Sequence, residues 1–563
     1  MDVDAVHAVA SELRGQLAVA PLSLDLPGVD QARTIAADGV RQLDDYVLPR
    51  LANLDAPALA VVGGSTGAGK STLVNSLLRS NVTRPGVLRP TTRAPVLVCR
   101  PEDIDWFDDD RVLPGLARVS GEAHGTAEIS LATSPALPPR LALVDAPDID
   151  SVVDSNRAIA SQLLDAADLW VFVTTASRYA DAVPWEFLQR AAQRGVVLGI
   201  VVNRLPPAAG EVVDHLREML AEHGLDGTPV FAVDEQPLTD EWIADDAVRP
   251  LRNWLGALVD DQASRAEIVR RTLTGTVADL AVRADAVAAA VESQHEALAH
   301  LGTIAHETFD AAHERLIAEV GEGAVMRGEV LARWQDVVGT GELLRQLQST
   351  IGRWRDRLAS ALTGRTTGTE RLQDAIEHSV DVLVRAHAAT AAERVTASWR
   401  AHPAGAALVA AAPEPLDRPS PQLSERTERL VRDWQGSLLE MLRVEGASKR
   451  TTAKALSYGV NGVGLVAMVG VFAHTGGLTG AEVAIAGGTS VAGQKVLEAV
   501  LGDQAVRSLS LRARDDLYVR TGELFAAEVR RYLDLLETVP GTAHDAAAAL
   551  RDTAARLAQL VRR

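Results

Sequence analysis

The sequence predicts a fold in two parts: an α/β domain with a mostly parallel, doubly wound sheet, and a long all-α helical bundle with an apolar hairpin insertion. Short apolar runs alternate with helical patterns between residues 57 and 234. Long helical patterns without strands follow from about residue 258, and an apolar run rich in small residues interrupts them at 459–493. Because 563 residues are too many for one core, we expect at least two domains.

Seven apolar runs are the predicted strands of the α/β domain. Several are apolar throughout, as expected of a sheet that is covered on both faces. Helical patterns at 70–79, 156–167 and 211–224 alternate with them, which predicts parallel strands joined by helical crossovers. The predicted strands are residues 58–64, 94–100, 127–133, 141–147, 169–175, 196–203 and 228–234.

Shifts in composition divide the chain into five predicted segments. The first segment carries two helical patterns, and we expect them to pack with the helical bundle. After the α/β domain, helical patterns cover roughly 262–300, 303–360, 368–400 and 423–450, with a Pro-rich break at 411–423. The predicted segments are 1–52 (N-terminal helices), 53–257 (α/β domain), 258–450 (helical stalk), 451–502 (apolar hairpin) and 503–563 (C-terminal stalk helices).

Charge and cysteine content restrict the partners and the compartment. The 75 acidic residues outnumber the 56 basic ones, and the formal net charge of −19 repels phosphate backbones. No nucleic-acid partner is therefore expected. The one cysteine, Cys99, cannot form an internal disulfide, and its position in a predicted strand favours a buried, inert thiol over a reactive one. The N-terminus lacks the pattern of a secretory signal, so a cytoplasmic location is expected.

The run GSTGAGKS, residues 64–71, matches a phosphate-binding loop (P-loop) between a predicted strand and a predicted helix. Its glycines let backbone N–H groups surround a phosphate, and the helix N-terminus adds positive potential. Lys70 would reach the β- and γ-phosphates, and the Ser71 hydroxyl would bind Mg²⁺. The predicted nucleotide-binding residues of this run are Gly64, Ser65, Thr66, Gly67, Ala68, Gly69, Lys70, Ser71 and Thr72.

Four further residues lie where a nucleotide site needs them. Asp145 ends an apolar strand, where its carboxylate can hold Mg²⁺ through water or, alternatively, only form a turn. Thr92 precedes a predicted strand by a few residues, as a switch threonine should, and otherwise belongs to an ordinary loop. Asn203 is predicted to end a strand. Asn203 and Arg204 together stand where a base-reading loop is expected to begin.

The order of these motifs resembles that of translation-factor-type GTPases and, more closely, that of bacterial dynamin-like proteins. TTRAP, residues 91–95, is similar to the Thr-Arg-Arg-Pro switch of dynamins, and the resemblance in motifs covers roughly residues 57–235. It implies GTP hydrolysis with Mg²⁺ bound by Ser71, Thr92 and Asp145. Lys70, Thr92 and Thr66 would be the catalytic positions. Because dynamins tend to have a Gln at the position of Thr66, we expect slow turnover that rises when GTPase domains self-associate.

Two motifs depart from the GTPase pattern. Asp-x-x-Gly is replaced by DAPD, residues 145–148, so Asp148 brings a negative charge toward the phosphates. Asn-Lys-x-Asp is replaced by NRLP, in which Pro206 stands in the place of the aspartate that pairs with guanine. GTP is therefore the expected nucleotide, with ATP left open. The missing carboxylate could come from Glu211, Asp214 or Asp234.

Arg178 follows a predicted strand on the side where the nucleotide is expected. Two roles are open for it from the sequence. It could be an arginine finger that acts across a dimer of GTPase domains, or a plain surface arginine.

The apolar runs 459–473 and 478–493 predict a helical hairpin. Each helix would be about 22–24 Å long, shorter than the hydrocarbon core of about 30 Å. A hairpin that dips into one leaflet therefore fits better than two spans. The alternatives are a single tilted span across 458–480, which would have to carry His474, and a hairpin buried in the bundle. Lys449, Arg450 and Lys454 precede the hairpin, where they suit anionic headgroups. Residues 459–493 are thus predicted to bind phospholipid at the inner face of the cell membrane.

Together these features predict a dynamin-like mechanoenzyme, in which nucleotide-driven association of GTPase domains moves the stalk and deforms a membrane. One alternative is an ATP-using protein, although chromosome- and transporter-type ATPases usually have Glu where Ala146 stands. A second alternative is a non-hydrolysing, nucleotide-dependent scaffold at the membrane. A ribosome-assembly GTPase is disfavoured by the acidity of the chain and its lack of a basic RNA-binding domain.

Overall fold

Eight strands form one sheet in the computed structural model, in the order β3-β4-β2-β5-β1-β6-β7-β8. All neighbouring strands are parallel except β2 and β5, which are antiparallel. The predicted mostly parallel sheet is thereby confirmed. The strands are β1 (Ala58–Gly64), β2 (Val96–Cys99), β3 (Ala117–Val119), β4 (Glu128–Thr133), β5 (Leu141–Asp145), β6 (Leu169–Thr175), β7 (Val197–Leu205) and β8 (Val230–Asp234).

The structure describes most of the chain, with its largest gaps near residues 84–93, 334–365 and 447–502. The described residues are 2–83, 94–109, 111–119, 121, 127–151, 154–207, 209–326, 329–330, 332–333, 366–446, 468, 471, 503–540 and 545–562.

The two faces of the sheet belong to two separate hydrophobic cores, which is why its central strands are apolar throughout. In β1, Leu59 and Val61 belong to one core, and Ala60 and Val62 belong to the other. Because successive side chains of a strand point to opposite faces, a strand covered on both sides must be apolar at every position. All seven residues of β1 are buried. The sheet is therefore doubly covered, as the sequence predicts.

Helices follow most of the strands and make up most of the remaining described chain. A π-helical turn, Leu43–Val47, joins the second helix to the third. The α-helices are α1 (Val3–Ala18), α2 (Val29–Gln42), α3 (Leu48–Ala52), α4 (Lys70–Leu78), α5 (Asp154–Asp165), α6 (Ala182–Gln193), α7 (Gly210–Glu222), α8 (Asp245–Val259), α9 (Gln262–Gly321), α10 (Thr366–Ala401), α11 (Pro403–Ala411), α12 (Leu423–Gly446), α13 (Asp503–Glu537) and α14 (Ala546–Arg562).

The predicted helix break between residues 300 and 303 is wrong, because α9 is continuous through this point. Gly302 lies between Leu301 and Ala305, both of which are fully buried. A glycine inside a helix costs about 1 kcal/mol relative to alanine. Packing of the neighbouring apolar side chains outweighs a cost of that size, so the helix continues.

The described residues form two compact units. Unit 1 comprises 1–22, 27–294 and 543–563, and unit 2 comprises 23–26 and 295–542. In unit 1, helices α1 and α14 belong to the core on one face of the sheet. The five segment boundaries that the sequence predicts stay predictions.

Unit 2 is all-helical in the part of the chain that the structure describes, and this agrees with the predicted long helical region. Its core contains the buried rings of Trp399, Trp434 and Tyr532. Each ring also satisfies its polar atom: the Trp399 indole donates to Leu301 O at 3.1 Å, and the Tyr532 hydroxyl donates to Leu416 O at 2.6 Å. These bonds fix large aromatic side chains between helices, since a buried indole or phenol without a partner would be costly.

The predicted hairpin at 459–493 lies outside the described residues apart from Met468 and Val471, which are buried in the core of unit 2. Within the described ranges, none of the helices combines the length and the apolar character that crossing a membrane requires.

A buried ionic cluster joins the N-terminal helices to the sheet inside unit 1. The carboxylate of Asp168 forms an ion pair with Arg50 and accepts hydrogen bonds from the Tyr46 hydroxyl at 3.0 Å and from Leu59 N at 2.8 Å. Burial, reinforced by the charge of Asp168, raises the pKa of Tyr46 well above its usual value. Asp168 thus has three donors in a site that water does not reach.

We expect Asp168→Asn to lower the free energy of unfolding by about 3 kcal/mol or more, because the buried guanidinium of Arg50 loses its counter-charge. Thermal and urea denaturation of the full chain measure the change. Asp30→Asn is the matched control, since the Asp30 side chain is 92% exposed beside Arg33. Equal stabilities of the two variants would contradict a structural role for the cluster.

Candidate nucleotide-binding site

The predicted site residues come from the carboxyl ends of four neighbouring parallel strands. Strands β5, β1, β6 and β7 are consecutive in the sheet, so the segments that follow them lie along one edge. Asp145 ends β5, the P-loop follows β1, Arg178 follows β6, and Asn203 lies near the end of β7. Ligands of open α/β sheets bind at this edge. The sheet thus brings together residues that are distant in the sequence.

Two glycines of the P-loop have no room for a side chain. Gly64 has φ +148°, and a Cβ on it would lie 2.0 Å from Val173 O of the neighbouring strand. Gly69 has φ +89°, and a Cβ there would lie 2.4 Å from the amide nitrogen of Asn203. Both positions require a conformation that side chains disfavour. The loop can therefore turn tightly into α4, whose first residue is Lys70.

The Lys70 ammonium lies at the mouth of the P-loop and is held by three acceptors. Its Nζ donates to Gly64 O at 3.0 Å and to Ser65 O at 3.2 Å, and it forms an ion pair with Asp148. Both charged side chains are buried. Asp148 therefore brings a negative charge to the loop, as the DAPD motif indicates, and it does so by pairing directly with the predicted phosphate-binding lysine.

Asp145 and Ser71 form a site that fits a divalent cation. Asp145 is fully buried, and burial raises its pKa to about 6 against the opposing effects of the Ser71 hydroxyl and the Lys70 charge. Hydrogen bonds from the side chains of Ser71 and Thr83 lower the pKa of Asp145, but they do not offset the effect of burial. A buried carboxylate of this kind needs a cation or a proton, and oxygen ligands suit Mg²⁺. Thr92, the third predicted Mg²⁺ ligand, lies outside the described residues.

A second acidic side chain contacts the P-loop, and sequence reasoning missed it. Asp150 Oδ1 accepts hydrogen bonds from the backbone N–H of Thr66 at 2.7 Å and from its hydroxyl at 2.8 Å. Arg178 pairs with the other oxygen of Asp150 at 2.8 Å and donates to Thr66 O at 2.9 Å. The sequence signal for this contact is the high density of acidic residues in DAPDID, residues 145–150, and it does not show which residue Asp150 contacts.

Asn203, which is predicted to begin the base-reading loop, contacts the P-loop directly. Its buried amide donates to Ala68 O at 2.8 Å. The prediction that the strand ends at Asn203 is wrong by two residues, because β7 continues to Leu205 and pairs there with Asp234 of β8. Arg204 is exposed and has φ +53°.

The three candidates for the missing guanine-binding carboxylate differ in position. Asp234 ends β8 beside Leu205, whereas Glu211 and Asp214 lie on α7. Asp214 forms an exposed ion pair with Arg217 at 3.0 Å. Asp234 is the candidate at the same sheet edge as Asn203.

Among solved structures, one similar chain belongs to an oligomerised bacterial dynamin pair that provides a mechanism for long-range sensing and tethering of membranes. The chain is similar to bacterial dynamins. The identity is 8%, over 99% of this chain and 95% of that chain, with a TM-score of 0.42. LeoA, a bacterial dynamin GTPase from ETEC, is 11% identical over 96% of this chain and 98% of its own, with a TM-score of 0.23.

A third similar structure is Era in complex with MgGDPNP and a segment of 16S ribosomal RNA. It is 17% identical over 35% of this chain and 56% of its own, with a TM-score of 0.22. No protein-family model matches the chain, and no curated protein matches it by sequence. Since these TM-scores lie below 0.5, the function must be inferred from the side chains of the site.

Proposed function

We propose that the chain is a Mg²⁺-dependent nucleoside triphosphatase with GTP as its expected nucleotide. The observation that carries this proposal is the constellation at the sheet edge: the P-loop with Lys70 at its mouth, and the fully buried carboxylate of Asp145 beside Ser71. The loop presents a backbone N–H group and an ammonium that suit an anion, and the buried carboxylate suits a cation. A triphosphate with its metal supplies both at once.

In this proposal each residue has a defined role. The loop N–H groups and the Lys70 ammonium bind the β- and γ-phosphates after Lys70 leaves Asp148. The Ser71 hydroxyl and Asp145 would hold Mg²⁺, with Thr92 as a further proposed ligand. Mg²⁺ would neutralise charge on the phosphate oxygens as the γ-phosphoryl group is transferred to water. Asn203 fixes the loop from the base side through Ala68 O.

GTP is expected to bind more tightly than ATP, but by a smaller margin than in GTPases with the complete base-reading motif. Pro206 offers no hydrogen-bonding group to the base, and the loss of a buried polar partner typically removes about 1–3 kcal/mol of discrimination. Competition of unlabelled GTP and ATP against one labelled nucleotide measures the margin. Equal or tighter binding of ATP would favour the ATP-using alternative, and binding without phosphate release would favour the non-hydrolysing scaffold.

We further propose that the protein acts at a membrane, as the dynamin pair similar to it does, and that it self-associates through its GTPase domain. The apolar, glycine-rich composition of residues 459–493 and the basic residues before them support this part of the proposal. Such a segment gains about 25 cal/mol for each Å² of apolar surface that leaves water. The proposed location is the cytoplasmic face of the cell membrane.

Deletion of residues 459–493 is expected to abolish flotation with anionic phospholipid vesicles while nucleotide affinity is retained. The physical reason is that the deleted segment carries the apolar surface that would enter the bilayer. A density-gradient flotation assay on the full chain and on the deletion variant gives the comparison. If the deletion variant still floats, or if the intact chain never does, the segment belongs to the protein core instead.

A further inference from the structure

The loop mouth holds a carboxylate where the P-loop motif places a phosphate. Asp150 Oδ1 lies 2.7 Å from the backbone N–H of Thr66 and 2.8 Å from its hydroxyl. Backbone N–H groups of this loop are the donors that surround phosphate oxygens in the motif. The Asp150 carboxylate therefore marks a position at which the loop binds an oxyanion.

The same oxyanion position is bound from its other side by Arg178. The guanidinium lies 2.8 Å from Asp150 Oδ2 and donates to Thr66 O at 2.9 Å and to Asp181 at 3.1 Å. These contacts use three different nitrogens of the guanidinium, so its plane is fixed. The Arg178 side chain is 36% exposed, which leaves it accessible to a ligand that enters the loop. Arg178 thus faces the anion position in its own chain.

The backbone explains why Arg178 reaches the loop. Strand β6 is the neighbour of β1 in the sheet, so the segment after β6 lies beside the P-loop. A turn follows β6, in which Arg178 N donates to Thr175 O at 3.0 Å. A rigid strand and a hydrogen-bonded turn therefore place the guanidinium, and no second chain is needed to bring it there.

We propose that Arg178 binds the terminal phosphate of the nucleotide that its own chain holds, in the position that Asp150 takes in this structure. When the triphosphate enters, its γ-phosphate replaces the carboxylate between Thr66 and Arg178. This inference rests on the proposed function, because it requires a triphosphate in the loop. A diphosphate ends before this position, so Arg178 distinguishes the triphosphate from the diphosphate.

Arg178 also acts during hydrolysis in this proposal. The water oxygen forms a bond to the γ-phosphorus, the bond to the β–γ bridging oxygen breaks, and that oxygen leaves with the electron pair on the diphosphate. The water proton goes to the released phosphate. Negative charge is spread over the γ-phosphoryl oxygens during transfer, and a planar guanidinium with several donors stabilises it. Thr66, which stands where dynamins tend to have Gln, fixes the anion from the opposite side.

The first experiment measures the affinities of Arg178→Ala for GDP and for a non-hydrolysable GTP analogue by calorimetry, with Mg²⁺ present. We expect the triphosphate affinity to fall by about tenfold, the value of one charge-assisted contact, while the GDP affinity stays unchanged. Arg270→Ala is the control for loss of an exposed arginine, since Arg270 lies on α9 and pairs with Glu267. An equal loss for both nucleotides would overturn the proposal, because a merely structural arginine affects both alike.

Asp150→Asn is expected to change the triphosphate affinity in the direction opposite to Arg178→Ala. It removes the anion that competes with the γ-phosphate and keeps the shape of the side chain, so the triphosphate affinity should rise while that for GDP changes less. A fall in triphosphate affinity would contradict the replacement of Asp150 by phosphate.

A mixing experiment distinguishes an arginine of the same chain from a finger supplied by a partner. Arg178→Ala is expected to slow single-turnover GTP hydrolysis by about 10³-fold or more, the effect of removing an arginine from such sites. Lys70→Ala still carries Arg178 but should bind no nucleotide, so adding it should restore nothing. Recovery of hydrolysis in the mixture would overturn the proposal in favour of a finger across a dimer. A wild-type chain that binds neither nucleotide would instead show that the proposed function itself is wrong.

Discussion

Lys70→Ala is expected to abolish nucleotide binding. The Lys70 ammonium is a buried positive charge of the loop, 3.0 Å from Gly64 O and 3.2 Å from Ser65 O. Removing one partner of a buried charged pair costs about 3 kcal/mol or more, which corresponds to a loss of affinity of about a hundredfold. Calorimetric titration with GTP and with ATP in the presence of Mg²⁺ measures it. Unchanged affinity for either triphosphate would contradict the P-loop assignment.

The control for Lys70→Ala must separate binding from folding. The single substitution leaves Asp148 buried without its counter-ion, and such a group is strongly destabilising. The double variant Lys70→Ala/Asp148→Ala removes both charges, so it should be more stable than the single variant and should still bind no nucleotide. If the double variant regained full affinity, the loss in the single variant would reflect misfolding of the loop and not a missing phosphate contact.

Most of the sheet could be predicted from the sequence because its central strands are buried on both faces. All seven predicted strands are present, since runs such as LWVFVTT in β6 are apolar at nearly every position. The strand that was missed, β3, has three residues, none of them buried, and pairs only with β4. An edge strand of that length has no apolar pattern of its own. Its formation depends on the neighbouring strand and not on its own residues.

The sequence predicts those residues of the candidate site that belong to one local motif. The P-loop requires eight consecutive residues, so Lys70 and Ser71 follow from the sequence directly. The contacts of Thr66 with Asp150 and Arg178 join residues that are 84 and 112 positions apart. Only the order of strands in the sheet decides that β5, β1 and β6 are neighbours. The local sequence therefore indicates Arg178 as a candidate residue. It does not show which residues Arg178 contacts, or whether Arg178 acts on the nucleotide of its own chain or of a second chain.

Asp148→Asn is expected to change nucleotide affinity and stability in opposite directions. In this structure Asp148 forms an ion pair with the Lys70 ammonium, the group that is proposed to bind the β- and γ-phosphates. The second carboxylate oxygen of Asp148 has no hydrogen bond among the described residues. Binding must therefore break the ion pair and bring phosphate charge close to a buried carboxylate. Asparagine keeps the size of the side chain and removes the charge, so affinity for GTP should rise by about tenfold, or about 1.4 kcal/mol.

The same substitution leaves Lys70 buried with only carbonyl acceptors, so the nucleotide-free chain should lose about 3 kcal/mol of its free energy of unfolding. Saturating GTP should restore most of that loss, because the phosphates replace the missing counter-charge and ligand binding stabilises the folded state. Urea denaturation with and without nucleotide measures both effects, with Asp30→Asn as the control. A fall in GTP affinity would instead assign Asp148 to the bound state, as a group that orients water or Mg²⁺. A rise would mean that the departure from Asp-x-x-Gly makes nucleotide entry compete with an internal ion pair.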